Sequence, residues 1–275
     1  MTTINPCVSK LFVHPMKSLD RVAVEQATFL QSGALKCDRE FAILDQAGNF
    51  VNGKRNERIH ALRSQFDLER QIVALAIQGT DRWVEFHLQE QRQALETWLG
   101  EYFGFSVQIA QNREIGFPDD TVSPGPTIIS TATLEAIASW YPGLDVEDMR
   151  LRFRSNIEVS GVPAFWEDQL FTTAEQTVEF QIGEVTLMGV NPCQRCVVVT
   201  RNPQTGEPYP NFQKTFVAKR RETFPIWAER SRFNHFYRLA INTRLPASEA
   251  GKTIAIGDSV NVLPLHPEFN INILG

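Results

Sequence analysis

The sequence predicts a mainly β protein of the α+β class, with an N-terminal β domain packed on an antiparallel β-barrel domain that carries a few helices. Short segments rich in β-branched and aromatic residues recur along the chain, and turn residues separate them. Helical periodicity is rare, and neither a βαβ alternation nor a helical bundle fits the pattern. A loop rich in Gly and Pro, residues 116–126, divides the chain. We therefore predict one domain over residues 1–112 and a second over residues 113–275, which could exchange strands.

The first part of the chain reads as strands followed by a helix. Strands are predicted over residues 11–18, in a hairpin over residues 39–51 that turns at residues 45–49, and over residues 71–76 and 83–88. A helix is predicted over residues 90–103, where Ala94, Leu95, Trp98, Leu99 and Tyr102 share one face and Gly104 ends the pattern.

The second part begins with a helix that Ser130 or Thr131 caps, and Pro142-Gly143 stops it. Strands then dominate the pattern. They are predicted over residues 150–160, 178–182, 185–190, 196–200 and 237–242 and in a last hairpin turning at residues 257–258, with a short basic helix over residues 212–222.

Composition excludes several classes of protein. A chain of 275 residues is long enough to bury a sizeable core. Its formal net charge of -5 argues against a nucleic-acid binder, because such domains are usually basic. The first ten residues lack the apolar region of a signal peptide, and no apolar run reaches the length of a membrane span. Four scattered cysteines form no disulfide framework, so we expect a cytoplasmic protein.

The main chemical signal is a C-x-x-C element, Cys193-Gln194-Arg195-Cys196, followed by a run of valines. A thioredoxin-type pair would open a helix, and a zinc site would need about four ligands; a pair of inert buried cysteines is the third interpretation. Arg195 is unusual for a core, because an unpaired buried guanidinium is costly. An Arg beside a Cys favours the thiolate, which ligates soft metals or attacks electrophiles.

The second signal is the segment of residues 149–156. Read as a strand, it places Arg150, Arg152, Arg154 and Asn156 on one face. Such a face could be solvated, or it could grip phosphate or another anion, for which Arg is well suited.

Together these segments resemble the MOSC-domain family, and within it the group that contains the mitochondrial amidoxime-reducing component and its bacterial relatives. The resemblance is carried by the C-x-x-C element with Thr200 and Asn202-Pro203-x-Thr205-Gly206, and it extends from Leu11 to about Leu263. It implies a thiolate bond from Cys196 to the molybdenum of a molybdopterin cofactor. The same resemblance implies a smaller N-terminal β domain packed on a β-barrel.

Other matched motifs imply residues that hold the cofactor. In Phe153-Arg154-x-Asn156-Ile157 the Arg and Asn bind it, although Ser155 stands where relatives usually carry proline. Weaker motifs are Pro15-Met16-Lys17-Ser18 and Cys37-Asp38-Arg39. The cofactor-binding residues that the resemblance implies are Lys17, Ser18, Arg39, Asp120, Arg154, Asn156, Gln194, Arg195 and Tyr237.

Each of these assignments has a plainer alternative. Lys17-Ser18 could be a surface turn and Tyr237 a half-buried barrel residue. Asp120 lies in a loop with an insertion-like segment, residues 122–125. We expect Arg195 to steady the Cys196 sulfur, and we consider His235 as a proton donor.

The resemblance implies a molybdenum-cofactor oxidoreductase that removes oxygen from small N-hydroxylated compounds. Electrons would come from a separate ferredoxin or flavin/iron–sulfur protein, because the chain has no G-x-G-x-x-G fingerprint and no cysteine beyond Cys196. The basic run at residues 219–221 is a candidate contact for an acidic donor, and a solvated helix face is the plainer and favoured alternative. A monomer or weak dimer is expected, and pyridoxal phosphate binding enters only as a family-level association. The alternatives are a carrier of the cofactor or of sulfur on Cys196, without reductase activity, and a thiol enzyme without a metal.

Overall fold

A computed structural model describes residues 5–264 and confirms the mainly β fold, with four α-helices. The strands are β1 Cys7–Val13, β2 Val22–Val24, β3 Gln26–Thr28, β4 Phe41–Asp45, β5 Leu62–Asp67, β6 Ile72–Ile77, β7 Val84–His87, β8 Val107–Gln111, β9 Ile128–Ser130, β10 Ile157–Ser160, β11 Val178–Ile182, β12 Val185–Gln194, β13 Arg238–Arg244, β14 Thr253–Ala255 and β15 Val260–Val262. The α-helices are α1 Arg92–Phe103, α2 Thr131–Ala138, α3 Val146–Phe153 and α4 Phe212–Glu222. Short 3-10 helices cover Glu57–Ala61, Trp166–Leu170, Val197–Thr200, Arg230–Arg232 and Ala247–Glu249.

The largest sheet has eight strands in the order β15-β11-β12-β13-β9-β10-β1-β2. Its pairs are antiparallel except for β9 and β10, which run parallel. The sheet curls so that its two ends approach each other. An isolated β-bridge joins Cys7 in β1 to Ser259, just before β15. The curled sheet surrounds an apolar core that includes Leu11, Ile157 and Phe180.

Two of the first three strands pair with strands from the second half of the chain, and β2 pairs with β1. β1 pairs with β10, and β3 pairs with β14 in a separate two-stranded sheet. The remaining N-terminal strands form a β4–β8 pair and a β5–β6–β7 sheet, which share a second core with α1. Helices α2, α3 and α4 form a third core outside the large sheet.

Several sequence predictions are confirmed because their signals are local. Helix α4 and strand β11 have the predicted bounds. Ser130 caps α2 by accepting the Thr133 N–H, and Gly104 ends α1 in the left-handed conformation. The main chain of Asp45 closes the predicted turn through the Asn49 carbonyl.

The predicted strand over residues 150–160 is wrong in its first half. Residues Val146–Phe153 form helix α3, and the strand begins only at Ile157. Asp145 and Asp148 form a capping box that starts the helix. Met149 and Phe153 lie one helical turn apart, and both are buried. Burial of these apolar side chains favours a helix, although the arginines alternate as they would in a strand.

The predicted strand over residues 196–200 is also wrong. Strand β12 continues through Cys193 to Gln194, and Val197–Thr200 is a 3-10 turn. The Thr200 hydroxyl donates to the Val197 carbonyl at 2.7 Å, which favours the turn over an extended chain. Val199 fills the core, whereas Val197 is exposed.

The last predicted hairpin is not formed. A turn does occur at Gly257-Asp258, where the Asp258 carboxylate accepts the Ala255 N–H at 2.8 Å. The strands on either side separate, however: β14 joins β3 and β15 joins β11. In residues 5–264 no helix is long and apolar enough to cross a bilayer.

Candidate functional site

A cavity of about 550 Å³ opens between the N-terminal strands and the loops at residues 118–127 and 191–203. This volume lies in the range that suits a cofactor or small ligand. Eleven of its lining residues are Lys or Arg and only three are Asp. Because the whole chain carries a net charge of -5, this surplus of positive charge is a local feature of the cavity, and it favours an anionic ligand.

Lys17 lies at one side of the cavity, where the turn after β1 places it. Its Nζ donates to the Asp119 carboxylate at 2.6 Å and to the Phe117 carbonyl at 2.9 Å. Burial lowers the pKa of Lys17, and Asp119 opposes that change. Burial would raise the pKa of Asp119, but Lys17 and Arg39 hold it at about 2. These two contacts therefore hold the Lys17 side chain in one position.

Arg39 is held next to Lys17 by Asp38. The Arg39 guanidinium donates to the Asp38 carboxylate, which also accepts the His14 main-chain N–H at 2.8 Å. Burial works against ionisation of Asp38, but Arg39 and His14 hold its pKa well below the usual range. Burial, with help from Arg154, lowers the pKa of His14 to about 3, so this imidazole is neutral at physiological pH. The Asp38 carboxylate thus fixes the position of the Arg39 guanidinium, and Arg39 lines the cavity.

Arg154 completes a cluster with Lys17 and Arg39. It follows α3, and its Nη2 donates to the Leu19 carbonyl at 2.8 Å. Burial, and then the charge of Arg39, lower the pKa of Arg154 to about 10. Two buried guanidiniums that repel each other would gain from a bound anion.

The backbone at these positions is itself unusual. Ser18, Arg39 and Arg154 have φ values of 74°, 52° and 52°, in the left-handed region that non-glycine residues rarely adopt. Such strain clusters at functional sites, where the surrounding fold enforces it. All three are residues for which a cofactor contact is predicted, and all three line the cavity.

Asn156 lines the cavity but uses its amide on the main chain. Its Oδ1 accepts the Thr127 N–H at 3.1 Å, and its Nδ2 donates to the Phe12 carbonyl at 3.1 Å. The side chain is buried, with 1% of its surface exposed. Asn156 therefore ties β1 to the segment before β9 and positions Arg154.

The two cysteines both line the cavity, but their environments differ. Arg195 Nη1 donates to the Cys193 Sγ at 3.2 Å, and Arg195 Nη2 donates to the Phe153 carbonyl. Arg39 and Arg238 also lie close enough to Cys193 to interact with it electrostatically. The Arg195 guanidinium thus contacts the sulfur of Cys193, and the expectation that Arg195 steadies Cys196 stays a prediction.

Cys196 follows the strand and opens the 3-10 turn. Its Sγ makes no hydrogen bond to any residue between 5 and 264, and its carbonyl accepts the Tyr237 hydroxyl at 3.4 Å. Tyr237 is buried and does not line the cavity, so it positions the cysteine loop from behind. Gln194 is exposed at the end of β12 and lies on the cavity wall.

Two other predicted residues lie differently from expectation. Asp120 lines the cavity, but its Oδ1 caps the N–H groups of Val122 and Ser123, and its neighbour Asp119 makes the ion pair. His235 is half-buried, accepts the Tyr237 N–H at 3.2 Å and does not line the cavity.

The basic run at residues 219–221 is not wholly exposed. Arg220 is fully buried and paired with Asp168, and it lies over the Phe165 ring. Lys219 pairs with Glu222 in the same helix. The whole Arg220 side chain is therefore buried on the inner face of α4.

Sequence reasoning missed several residues of the cavity wall. His14 immediately precedes the Pro15-Met16-Lys17-Ser18 motif, so its position beside the motif was an available signal. Arg201 directly precedes a turn motif in the same way. Arg63 and Arg238 had no sequence signal, because only the fold brings them to the cavity.

Comparison with known proteins agrees with this architecture. The MOSC N-terminal beta barrel domain matches residues 5–108, and the MOSC domain matches residues 127–261. The molybdenum cofactor sulfurase of Caenorhabditis briggsae is 24% identical over 249 residues, covering 83% of this chain and 34% of the relative. Mitochondrial amidoxime-reducing component 1 of Danio rerio is 27% identical over 237 residues, covering 72% of this chain and 70% of the relative. The human protein of that name is 25% identical, with coverages of 72% and 67%.

The chain spans about a third of the length of the sulfurases that it matches and about two thirds of the amidoxime-reducing components. The two domain matches together cover most of the residues that the structure describes. They meet at the cavity, to which both matched regions contribute cations. The chain therefore belongs to the MOSC family, with a MOSC N-terminal β-barrel domain followed by a MOSC domain.

Proposed function

We propose that the chain holds a molybdenum cofactor in this cavity and reduces small N-hydroxylated compounds with electrons from a separate protein. The observation that supports this function best is the joint presence of two thiols and a large cationic surplus on one cavity wall of an acidic protein. The molybdenum cofactor combines a phosphate with a metal that prefers sulfur ligands. The cations of the cavity would therefore bind the phosphate, and a thiol would bind the metal.

The residues at the phosphate end fit the group. Lys17, Arg39 and Arg154 form a cluster whose charges are only partly balanced by Asp38 and Asp119. Each is fixed in place by a carboxylate or a carbonyl, so little side-chain entropy would be lost on binding. Arg39 and Arg154 have most of their donors left, since each guanidinium makes one hydrogen bond among residues 5–264.

The residues at the sulfur end also fit. Cys196 would be the thiolate ligand, with its main chain held by the Tyr237 hydroxyl and by Val199, which is inserted into the core. When bound, the cofactor would supply the two-electron redox centre that accepts oxygen from an N-hydroxyl group. The protein would hold the sulfur in position and surround it with fixed positive charge.

Two measurements test the function. Elemental analysis of protein purified from a host that makes the cofactor should find molybdenum, in an amount that approaches one per chain. The same protein, supplied with a chemical reductant, should convert an amidoxime to the amidine, whereas the Cys196→Ala variant should not. Absence of molybdenum would exclude the proposal, and molybdenum without reduction would favour a carrier.

The second candidate is such a carrier, which would hold the cofactor, or sulfur as a persulfide, without reducing anything. One specific observation favours it: Arg195 donates to Cys193 and not to Cys196, so the wall carries a second thiol beside guanidinium groups. The sulfurase matches extend over as much as 94% of this chain. Transfer of labelled sulfane sulfur from a persulfide donor to Cys193 or Cys196, in protein that reduces no amidoxime, would support the carrier.

The electron donor and the setting belong to the same proposal. A ferredoxin or a flavin/iron–sulfur protein would deliver electrons, and a reducing cytoplasm would keep the four free thiols intact. Pyridoxal phosphate binding stays a family-level association and is not part of the proposal.

A further inference from the structure

The cavity holds a second group of basic side chains that the proposed cofactor site does not use. It comprises His60 and Arg63, on and just after the 3-10 helix Glu57–Ala61, with Arg152 of α3 and Arg201, which follows the 3-10 turn Val197–Thr200. We call these four residues the second cluster. Lys54, exposed on the loop before them, also lines the cavity.

The second cluster is built by specific contacts and is not a set of mobile surface side chains. Arg63 Nη2 donates to the His60 carbonyl at 2.7 Å and to the Pro203 carbonyl at 3.3 Å. Arg152 Nη1 donates to the Val199 carbonyl at 3.1 Å and also to the Arg201 carbonyl. These bonds join α3, the 3-10 helix and the cysteine loop around one part of the cavity.

Glycine at position 53 allows the chain to close over His60. A Cβ built on Gly53 would lie 2.6 Å from His60 Nε2 and 3.3 Å from Val198 Cγ2, closer than real Cβ contacts. The loop that carries Lys54 is therefore drawn against the second cluster.

The charges of the second cluster are only partly balanced inside the protein. Arg152 has 4% of its surface exposed and no carboxylate within ion-pair distance in the part of the chain that the structure describes. Among residues 5–264, Arg63 pairs with Asp20 at 3.2 Å and Arg201 pairs with the exposed Glu57 at 3.3 Å. The Nε atoms of Arg63, Arg152 and Arg201 are buried and have no acceptor among residues 5–264. Buried donors without partners are costly, and an anion close to them would offset that cost.

The second cluster adjoins the proposed cofactor site. His60 is close enough to Arg201, Arg63 and Arg154 for each to lower its pKa, with burial as the largest cause. Arg152 and Arg154 both come from the end of α3, so the two groups of basic side chains are neighbours in the chain and in the cavity. A molecule positioned beside the cofactor could reach the second cluster with one end.

We infer that the second cluster, with Lys54, binds an anionic group of the substrate, so that the N-hydroxylated compounds this protein selects carry a carboxylate or a phosphate. This inference rests on the proposed function and adds the substrate class. Arg201 and Lys54 are the specificity-determining residues that can be replaced most safely, because both side chains reach the surface.

The test compares three aromatic amidoximes with molybdenum-loaded protein and a chemical reductant. One is neutral, one carries a ring carboxylate, and one carries a ring phosphonate. We expect kcat/KM for at least one anionic compound to exceed that for the neutral compound by about tenfold or more, since one charge-assisted contact gives roughly tenfold to a hundredfold. The better anionic compound distinguishes a carboxylate site from a phosphate site.

The variants Arg201→Gln and Lys54→Gln should each lower that ratio several-fold without changing the molybdenum content. Arg70→Gln is the matched control, because Arg70 is exposed and makes only a distant pair with Asp67, at 4.0 Å. Equal kcat/KM for all three compounds in the wild type, or an unchanged ratio in both variants, would overturn the inference. Loss of molybdenum in Arg201→Gln would also overturn it, by assigning the second cluster to the cofactor.

Calorimetry with inorganic phosphate gives a readout that does not depend on turnover. Phosphate should bind the molybdenum-loaded wild type and bind Arg201→Gln several-fold more weakly. If no amidoxime is reduced but this difference is present, the proposed reaction fails while the anion site stands. If amidoximes are reduced and phosphate binds both proteins equally, the anion site fails while the proposed reaction stands.

Discussion

Replacing Arg154 by Gln should weaken cofactor retention without destabilising the empty protein. Burial and the Arg39 charge lower the pKa of Arg154 from 12.5 to about 10, which means that the fold disfavours the charged guanidinium. The shift corresponds to at most about 3 kcal/mol of unfavourable free energy. Because the folded pKa is the lower one, this penalty is present throughout the range below about pH 10. A neutral amide removes it.

The same substitution also removes favourable contacts. The hydrogen bond to the Leu19 carbonyl is worth about 1 kcal/mol, so the stability of the cofactor-free variant should equal that of the wild type or exceed it by up to about 2 kcal/mol. A charge-assisted bond to the cofactor is worth about 1.5–3 kcal/mol, so retention should fall by roughly tenfold to a hundredfold. Urea titration of the cofactor-free protein and molybdenum content after dialysis measure the two effects.

Arg150→Gln is the matched comparison, with effects of the opposite kind. The Arg150 guanidinium makes two 2.7 Å hydrogen bonds to Glu158, which is 2% exposed. Removing it leaves a buried carboxylate without its partner and should cost about 3 kcal/mol of stability, while the folded fraction keeps its molybdenum. If Arg154→Gln instead destabilised the empty protein by more than about 2 kcal/mol and kept its molybdenum, Arg154 would be a structural residue and the argument from its charge would be wrong.

Three further predictions concern the thiols, the electron source and pH. Cys196→Ala should fold, lose the molybdenum–thiolate absorption and be inactive, whereas Cys193→Ser should keep most activity; the reverse result would assign the metal to the sulfur that Arg195 contacts. Holoprotein with NADH alone should reduce no amidoxime, and a chemical reductant or a reductase–ferredoxin pair should start turnover; steady NADH oxidation would reveal a dinucleotide site. Burial, and then Asp168, raise the pKa of Glu167 from 4.5 to about 7, so stability should fall by up to about 3 kcal/mol as pH rises from about 4.5 to 7. Urea midpoints at pH 5 and pH 8 should show this loss of stability in the wild type and much less of it in Glu167→Gln. An equal change of the midpoint between the two pH values in both proteins would contradict the prediction.

Elements with strong local signals were predictable from the sequence. Helix α4 and strand β11 have the predicted bounds, because their apolar residues match one period only and turn residues flank them. The segment before Arg154 was not, since its arginines alternate with apolar residues and fit a strand as well as a helix. Burial of Met149 and Phe153 in the helical core decides between the two, and that is a tertiary effect.

The site could be predicted in part for a related reason. Lys17, Arg39 and Arg154 were identified through motifs, and the structure brings them together. The valines after Cys196 predicted a strand over residues 196–200, whereas β12 continues to Gln194 and ends there. The sequence therefore did not show which sulfur Arg195 contacts. Arg63 and Arg238 reach the cavity only because segments far apart in the sequence pack together there, which no short motif encodes.

The pairing of β1 and β3 with distant strands has a consequence for how the protein is made. Thr28 in β3 bonds Thr253 in β14 across 225 residues of chain, and β1, which pairs with β2 on one edge, finds its second partner only when β10 exists. Contacts of such large sequence separation raise the contact order and slow folding, because the entropy of closing a long loop is lost before burial is gained. On the ribosome, one edge of β1 and the strand β3 must stay unpaired until the partner strands have emerged. The cavity, whose wall combines residues 14–63 with residues 118–242, can therefore accept a ligand only late, after translation has supplied both of its sides.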